Sequence, residues 1–163
     1  MDGAVKKRRS AVRYISFAAY CALMLVLLFW RSPYDETQPY WELIAHNHNA
    51  VPLATIRHQI GLFLTGRPLY VRFAVVNLVG NVVMFVPLGF MLPWVFPALR
   101  RLWKTLLTTA AVIAAVELIQ LFTLRGHGDV DDLILNTVGA AIGYGVWRLS
   151  AGRTLNKNAA GNY

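Results

Sequence analysis

The chain has 163 residues, enough for one domain, and it is 56% hydrophobic with only 15% charged residues. Soluble domains average about 45–50% apolar and about 25% charged, so the composition excludes an ordinary soluble protein and points to a membrane. The net charge of +8 is spread along the chain in a way that argues against nucleic acid. The single cysteine, Cys21, lies inside an apolar run and excludes both a disulfide framework and a Cys-based metal site.

A transmembrane helix needs about 20 predominantly apolar residues. Four stretches qualify, at about 11–30, 73–96, 105–124 and 132–149. Such long uninterrupted runs exclude a closed barrel. The predicted fold is therefore all-α: a polytopic membrane protein whose four-transmembrane-helix bundle fills residues 11–150, between a basic N-terminal segment, 1–10, and a tail, 151–163.

In chain order, the first span follows Lys6, Lys7, Arg8 and Arg9. Its apolar run exceeds the roughly 7–15 residues of a signal core, and it ends in Phe29-Trp30-Arg31-Ser32 rather than in small residues. It reads as a retained helix with Trp30 at the interface. The loop that follows holds Tyr34, Tyr40 and Trp41, suited to a membrane surface. Leu53, Ile56, Ile60, Phe63 and Leu64 then share one helical face, which predicts a short amphipathic helix in the external loop, ended by Gly66, Arg67 and Pro68. His46 and His48 read as solvated loop histidines, because no third metal ligand has a fitting spacing. In the second span, Pro87 is expected to kink the helix, and Pro93 and Pro97 to end it. In the fourth, Gly139 and Gly143 form G-x-x-x-G, and Ala140 and Gly145 add small surface for a neighbouring helix within or between chains. The oligomeric state stays open.

Basic residues set the orientation. With the N-terminus in the cytoplasm, the inside segments carry Lys6, Lys7, Arg8, Arg9, Arg13, Arg100, Arg101, Lys104, Arg148, Arg153 and Lys157, eleven of the sixteen Lys and Arg. Both termini are thus expected in the cytoplasm, in a multi-pass protein of the cytoplasmic membrane, with the lipid bilayer as partner and no nucleic acid.

Polar residues inside spans are costly and face the bundle interior. Here they come in pairs that share a helical face: Asn77 with Asn81, Glu117 with Gln120, and Asp132 with Asn136. At 1.5 Å of rise per residue, Asn77 lies roughly 6–8 Å and Asn81 roughly 12–14 Å below the outer edge. Glu117 lies roughly 10 Å, Gln120 roughly 6 Å and Asn136 about 6 Å down, with Asp132 near the surface. The pairs overlap in depth in the outer half of the membrane, which predicts a polar recess open to the external face. Interhelical hydrogen bonding explains the amides equally well. Glu117 is harder to explain as structure alone; Arg125, two turns on, is positioned to reach back towards it. Asp129, Asp131 and Asp132 begin the last helix. Asp129 as N-cap, with Asp132 three residues on, has the form of a shortened capping box. Three carboxylates exceed the need of one cap, and a pair would serve as acid and base or hold a divalent ion.

In combination, NLVGNVVMFVPLGFMLP (77–93), ELIQ (117–120) and DVDDLILNTVG (129–139) resemble the VanZ-like family, and NAVPLATI (49–56) is similar to the family's segment before the second helix. The namesake is associated with teicoplanin resistance. By position, the resemblance carries over Asn81, Glu117, Gln120, Arg125, Asp129, Asp132 and Asn136 as the characteristic polar residues. The family often sets its arginine three residues before the first aspartate, whereas Arg125 and Asp129 are four apart. The resemblance implies a small integral membrane protein linked to glycopeptide susceptibility and supplies no mechanism.

Two functions of different kinds follow. One is a non-enzymatic binder of a lipid-linked cell-wall intermediate or a lipoglycopeptide, using Asn77, Asn81, Glu117, Gln120, Arg125, Asp129, Asp131, Asp132 and Asn136. The other is an enzyme acting on a membrane substrate such as an isoprenoid phosphate, with Glu117 and Asp132 as candidate catalytic groups and Arg125 on phosphate. No cofactor or resident metal is expected. A third reading is a structural partner of an envelope complex.

Overall fold

The computed structural model describes residues 2–30, 39–46, 48–126 and 128–160. Arg31, Ser32, Tyr34 and His127, with the side chains of Lys6, Arg9, His46, Arg153 and Lys157, lie outside the described residues. The chain is almost entirely helical: α1 (Asp2–Phe29), α2 (Tyr40–His46), α3 (Ala54–Leu64), α4 (Pro68–Val95), α5 (Leu102–Phe122) and α6 (Val130–Ala160). A 3₁₀ turn, Pro97–Leu99, joins α4 to α5, and two-residue strands β1 (His48–Asn49) and β2 (Gly128–Asp129) pair in parallel.

Among the described residues, three helices are long and apolar enough to cross a membrane: α1 over Ser10–Phe29, α4 and α5. The fourth expected span belongs to α6, where aspartates, an asparagine and glycines dilute the apolar run below that standard. The bundle is apolar outward. Ile15, Leu23, Val76, Val83, Leu107, Ile119, Val138 and Ile142 are all exposed, while Thr105, Thr109, Gln120, Asp131 and Asn136 are buried. Soluble proteins rarely expose contiguous apolar surface on this scale; a bilayer covers it.

Helix α4 runs through both of its prolines. The expectation that Pro93 ends it is corrected: Pro93 is fully buried inside the helix. The stop comes from Pro97, which disfavours helical backbone at the residue before it; Phe96 is extended at φ −111, ψ 101. Helix α4 also starts five residues earlier than the apolar run suggests, because Pro68 sits at its first turn, where its missing N–H costs nothing.

Helices α4 and α6 run parallel and form the closest pair. A Cβ placed on Gly139 would lie 2.0 Å from the Val82 carbonyl oxygen, one on Gly143 1.9 Å from that of Val86, and one on Gly89 1.9 Å from that of Ala140. The G-x-x-x-G face therefore serves a contact within the chain, with Ala140 fully buried beside it. Gly145 has nothing within 4 Å, which corrects its expected part in that surface. Met24, Phe85, Leu88, Leu92 and Ile113 form the buried core where α1, α4 and α5 meet.

At one end, the Arg13 guanidinium lies 5.4 Å from the Trp94 ring centroid, and the Tyr144 hydroxyl donates to the Arg100 carbonyl at 2.7 Å. The start of α1, the end of α4, the start of α5 and the later part of α6 thus share that end. The acidic residues and α3 lie at the other.

A helix does form where the external amphipathic one was expected. Thr65 and Gly66 end it, Gly66 in the left-handed region at φ 66. Its apolar Ile60, Phe63 and Leu64 face outward, while Gln59 is buried against the bundle.

Candidate functional site

The polar end is built by folding the segment before α4 onto the turn between α5 and α6. The β1–β2 pairing, His48 with Gly128 and Asn49 with Asp129, fixes the register. Gly126 is buried against the Gln120 side chain, where a Cβ would come within 3.0 Å of the Gln120 Cδ.

Each aspartate then has its own task. Asp129 caps α6: its Oδ1 accepts from the Asp131 N–H at 2.9 Å. The return arm of the capping box is not Asp132, as the spacing suggests, but Glu117 of α5, which accepts from the Asp129 N–H at 3.1 Å. Asp131 is fully buried and caps a different helix. It accepts from the Leu53 and Ile56 N–H groups, the latter at 3.0 Å, at the start of α3, where free N–H groups and the helix dipole favour a carboxylate. Leu53 sits in the left-handed region at φ 66 to present its N–H. Asp132 accepts from the Asn81 amide of α4. Asp129 also accepts from the Asn49 amide at 3.2 Å and from the Thr55 hydroxyl.

These contacts surround a cavity of about 580 Å³. Asn77 and Asn81 from α4, Glu117 and Gln120 from α5, and Asp129, Asp132 and Asn136 at and beyond the start of α6 all line it. The three pairs placed at similar depth by helical rise do meet around one space. The apolar wall is Leu27 and Leu28 of α1, Phe73, Leu78 and Met84 of α4, and Leu135 of α6. The far end of α1 is tied to the rim: the Gln120 amide donates to the Leu28 carbonyl at 2.8 Å and Arg125 to the Phe29 carbonyl at 3.1 Å. Both satisfy carbonyls in the last turn of α1, where a helix lacks its own donors.

Two residues from the sequence-derived set lie elsewhere. Asp131 holds α3 and does not line the cavity. Arg125 is exposed and reaches α1, so its expected approach to Glu117 gives way to a carbonyl partner 96 residues earlier in the chain, invisible to helical spacing. Four residues were missed: His48, Asn49, Thr55 and Gln59 line the cavity from the loop and α3. The resemblance of 49–56 to the family segment was the one signal for Asn49 and Thr55. His48 was read as a solvated loop residue; it is exposed, but its Nδ1 donates to the Ile44 carbonyl at 3.2 Å and the residue borders the cavity.

Among the described residues, no three His, Cys, Asp or Glu side chains have the geometry to hold a metal ion. Gln59 and Asn136 line the cavity, and one side-chain oxygen of each, Gln59 Oε1 and Asn136 Oδ1, is buried with no hydrogen-bond partner. Buried polar atoms are rarely left so.

No curated protein and no solved structure matches the chain. The apolar exterior, the polar cluster on α4, α5 and α6, and a match over residues 17–151 to the family described as VanZ/LLP1 agree: this chain is a membrane protein of the VanZ-like family.

Proposed function

We propose that the protein binds the polar headgroup of a membrane amphiphile in this cavity, at the external face of the cytoplasmic membrane, without transforming it. The carrying observation is the cavity's two-sided lining, carboxylates and amides against Leu27, Phe73, Met84 and Leu135. Its volume falls in the range of about 300–1,000 Å³ usual for small-ligand sites. The basic end, with Arg13, Arg100, Arg101 and Lys104, supports a cytoplasmic placement for that end and an external one for the cavity. Exposed Val138, Ile142 and Val146, four residues apart along α6, support α6 as a fourth crossing. The ligand is a lipid-linked cell-wall intermediate or the acyl-bearing part of a lipoglycopeptide. By the family's association, occupancy of the cavity lowers susceptibility to teicoplanin.

The competing phosphate-enzyme reading places Glu117 and Asp132 at the right cavity but lacks its cation. Among the described lining residues there is no Lys or Arg, and Arg125 is engaged by α1.

Binding of a labelled lipid-linked precursor to the reconstituted protein, with product analysis, tests the proposal. Binding without turnover, weakened but not abolished in Glu117→Gln and Asp132→Asn, is expected. Turnover that both substitutions abolish would establish the enzyme instead. Unchanged binding in both variants, at wild-type abundance, would remove the cavity from function.

A further inference from the structure

Helix α1 is joined to α4 towards the basic end of the bundle and to the α5 side towards the other. The Arg13 guanidinium lies over the Trp94 ring, Phe17 meets Phe96 edge-on with ring centroids 5.4 Å apart, and the Tyr20 hydroxyl donates to the Met84 carbonyl at 2.8 Å. From Arg13–Trp94 to Tyr20–Met84 the numbers rise along α1 and fall along α4, so the two helices are antiparallel. Further along α1 the hydrogen bonds change partner. The Leu28 and Phe29 carbonyls accept from Gln120 near the end of α5 and from Arg125 just after it. At 1.5 Å of rise per residue, Leu27 lies roughly 10 Å beyond Tyr20, level with Asn77, which lies as far from Met84 along α4. At this level the cavity reaches both helices: Leu27 and Leu28 line it from α1, and Phe73, Asn77 and Leu78 from α4. The cavity therefore extends between the ends of α1 and α4.

The edges of this gap are apolar and open. Leu27 is 51% and Phe73 57% exposed, although both line the cavity. They continue the bilayer-facing surface of their helices, with Leu23 and Val26 on α1 and Leu69 and Val76 on α4 all exposed. Elsewhere α4 is closed against α6 by the glycine contacts, and α3 packs on it. Further in, Asn81, Gln120 and Asp132 make the lining polar. From Phe73 to Asn81 the wall turns from apolar to polar over roughly 12 Å of helix.

We infer that the gap between α1 and α4 is a lateral portal, occupied by the acyl chain of a lipid whose head sits in the cavity. This rests on the amphiphile reading above and names the route: the ligand arrives from the leaflet, not from water. A polar lining opened onto hydrocarbon is unfavourable unless polar groups fill it, and a void between helices forfeits the dispersion contacts of both. Water or a free headgroup meets only the first demand, and an apolar chain only the second. A lipid meets both.

The test uses the full-length protein in vesicles of phosphatidylcholine and phosphatidylglycerol, part of the latter carrying a photoactivatable diazirine in one acyl chain. Irradiation and peptide mass spectrometry read which residues the chain touches. Leu28, Leu78 and Leu135 line the cavity and are only partly exposed; they should be labelled along with the outward-facing Val83 and Ile119. Leu27→Trp combined with Phe73→Trp narrows the edges and should abolish labelling of the three wall leucines, while Val83 and Ile119 keep theirs. Leu23→Trp combined with Val76→Trp adds similar bulk beside the gap and should leave the wall labelling intact, which separates blockage from misfolding. Labelling of Val83 and Ile119 without the wall leucines, or wall labelling that survives the blockage, would overturn the portal. So would a disulfide dimer of Leu27→Cys, in a Cys21→Ala background, with the walls unlabelled; a second copy would then cover the gap. The labelled lipid-linked precursor keeps the two readings apart. Bound while the walls stay unlabelled, it would leave the amphiphile reading standing and remove the portal. Unbound while the walls are labelled as expected, it would uphold the portal and remove that ligand.

Discussion

The carboxylate of Asp131 contributes nothing to the cavity wall; it closes the N-terminus of a helix that begins 77 residues earlier. Its neighbour Asp132 faces the cavity and meets Asn81. Substitution should separate the two roles. Asp131→Ala leaves the Leu53 and Ile56 N–H groups without an acceptor in a site from which Asp131 is wholly buried. Hydrogen bonds to a charged group contribute about 1.5–3 kcal/mol each and do not add fully, so a loss of about 2–4 kcal/mol is expected. For a chain of this size about 1 kcal/mol corresponds to about 2–4 °C in Tm, so thermal unfolding in detergent should shift down by roughly 5–15 °C. Asp132→Asn keeps an acceptor for Asn81 and should stay within roughly 1 kcal/mol of the parent. A large Tm loss in Asp132→Asn with none in Asp131→Ala would reverse this assignment. The sequence shows three carboxylates where one cap would do. It cannot show that one of them serves α3, since that depends on a loop folding back across most of the chain.

At the scale of elements, the glycines of α6 make opposite predictions a few residues apart. Alanine at 139 or 143 would drive a Cβ into the Val82 or Val86 carbonyl oxygen, and backbone offers no rotamer by which to give way. Each substitution should cost about 1–3 kcal/mol by forcing α4 and α6 apart. Gly80→Ala and Gly145→Ala meet nothing within 4 Å and should stabilise their helices by about 0.5–1 kcal/mol. The sign of the Tm change across the four variants is the check. The small-residue motif itself was legible, because close helix approach in a membrane selects it; which helix it meets was not, because spacing carries no partner. The same division holds along α4. The apolar run announces a helix, but only packing decides that Pro93 is accommodated within it while Pro97 stops it, through Phe96. Asn77, Asn81, Glu117, Gln120 and Asn136 were legible as a group, because helical rise fixes depth and depth does not depend on side-chain detail. Gln59 was not, because a polar residue on a short loop helix normally faces water, and here the apolar face is the one turned outward.

For the whole molecule, charge and geometry separate the two ends. Exposed Arg100, Arg101 and Arg148 lie towards one end, with Arg13 over Trp94, and the cavity opens near the other. Single cysteines in a Cys21→Ala background convert that asymmetry into a measurement. Arg57→Cys lies on the exposed side of α3, and Lys104→Cys near the start of α5. In intact cells a membrane-impermeant maleimide should label position 57 and reach 104 only after permeabilisation. The reverse pattern would turn the molecule over, and the ligand would then have to come from the cytoplasmic leaflet. Ser150→Cys, exposed on α6 beyond Arg148, decides the remaining crossing. If α6 spans the membrane beside the parallel α4, position 150 should behave like 104. External labelling at 150 would leave α6 on the outer side with three crossings beneath it. Its Val138, Ile142 and Val146 stripe would then face the headgroup region, where nothing apolar covers it, and for that reason protection at 150 is the expected result.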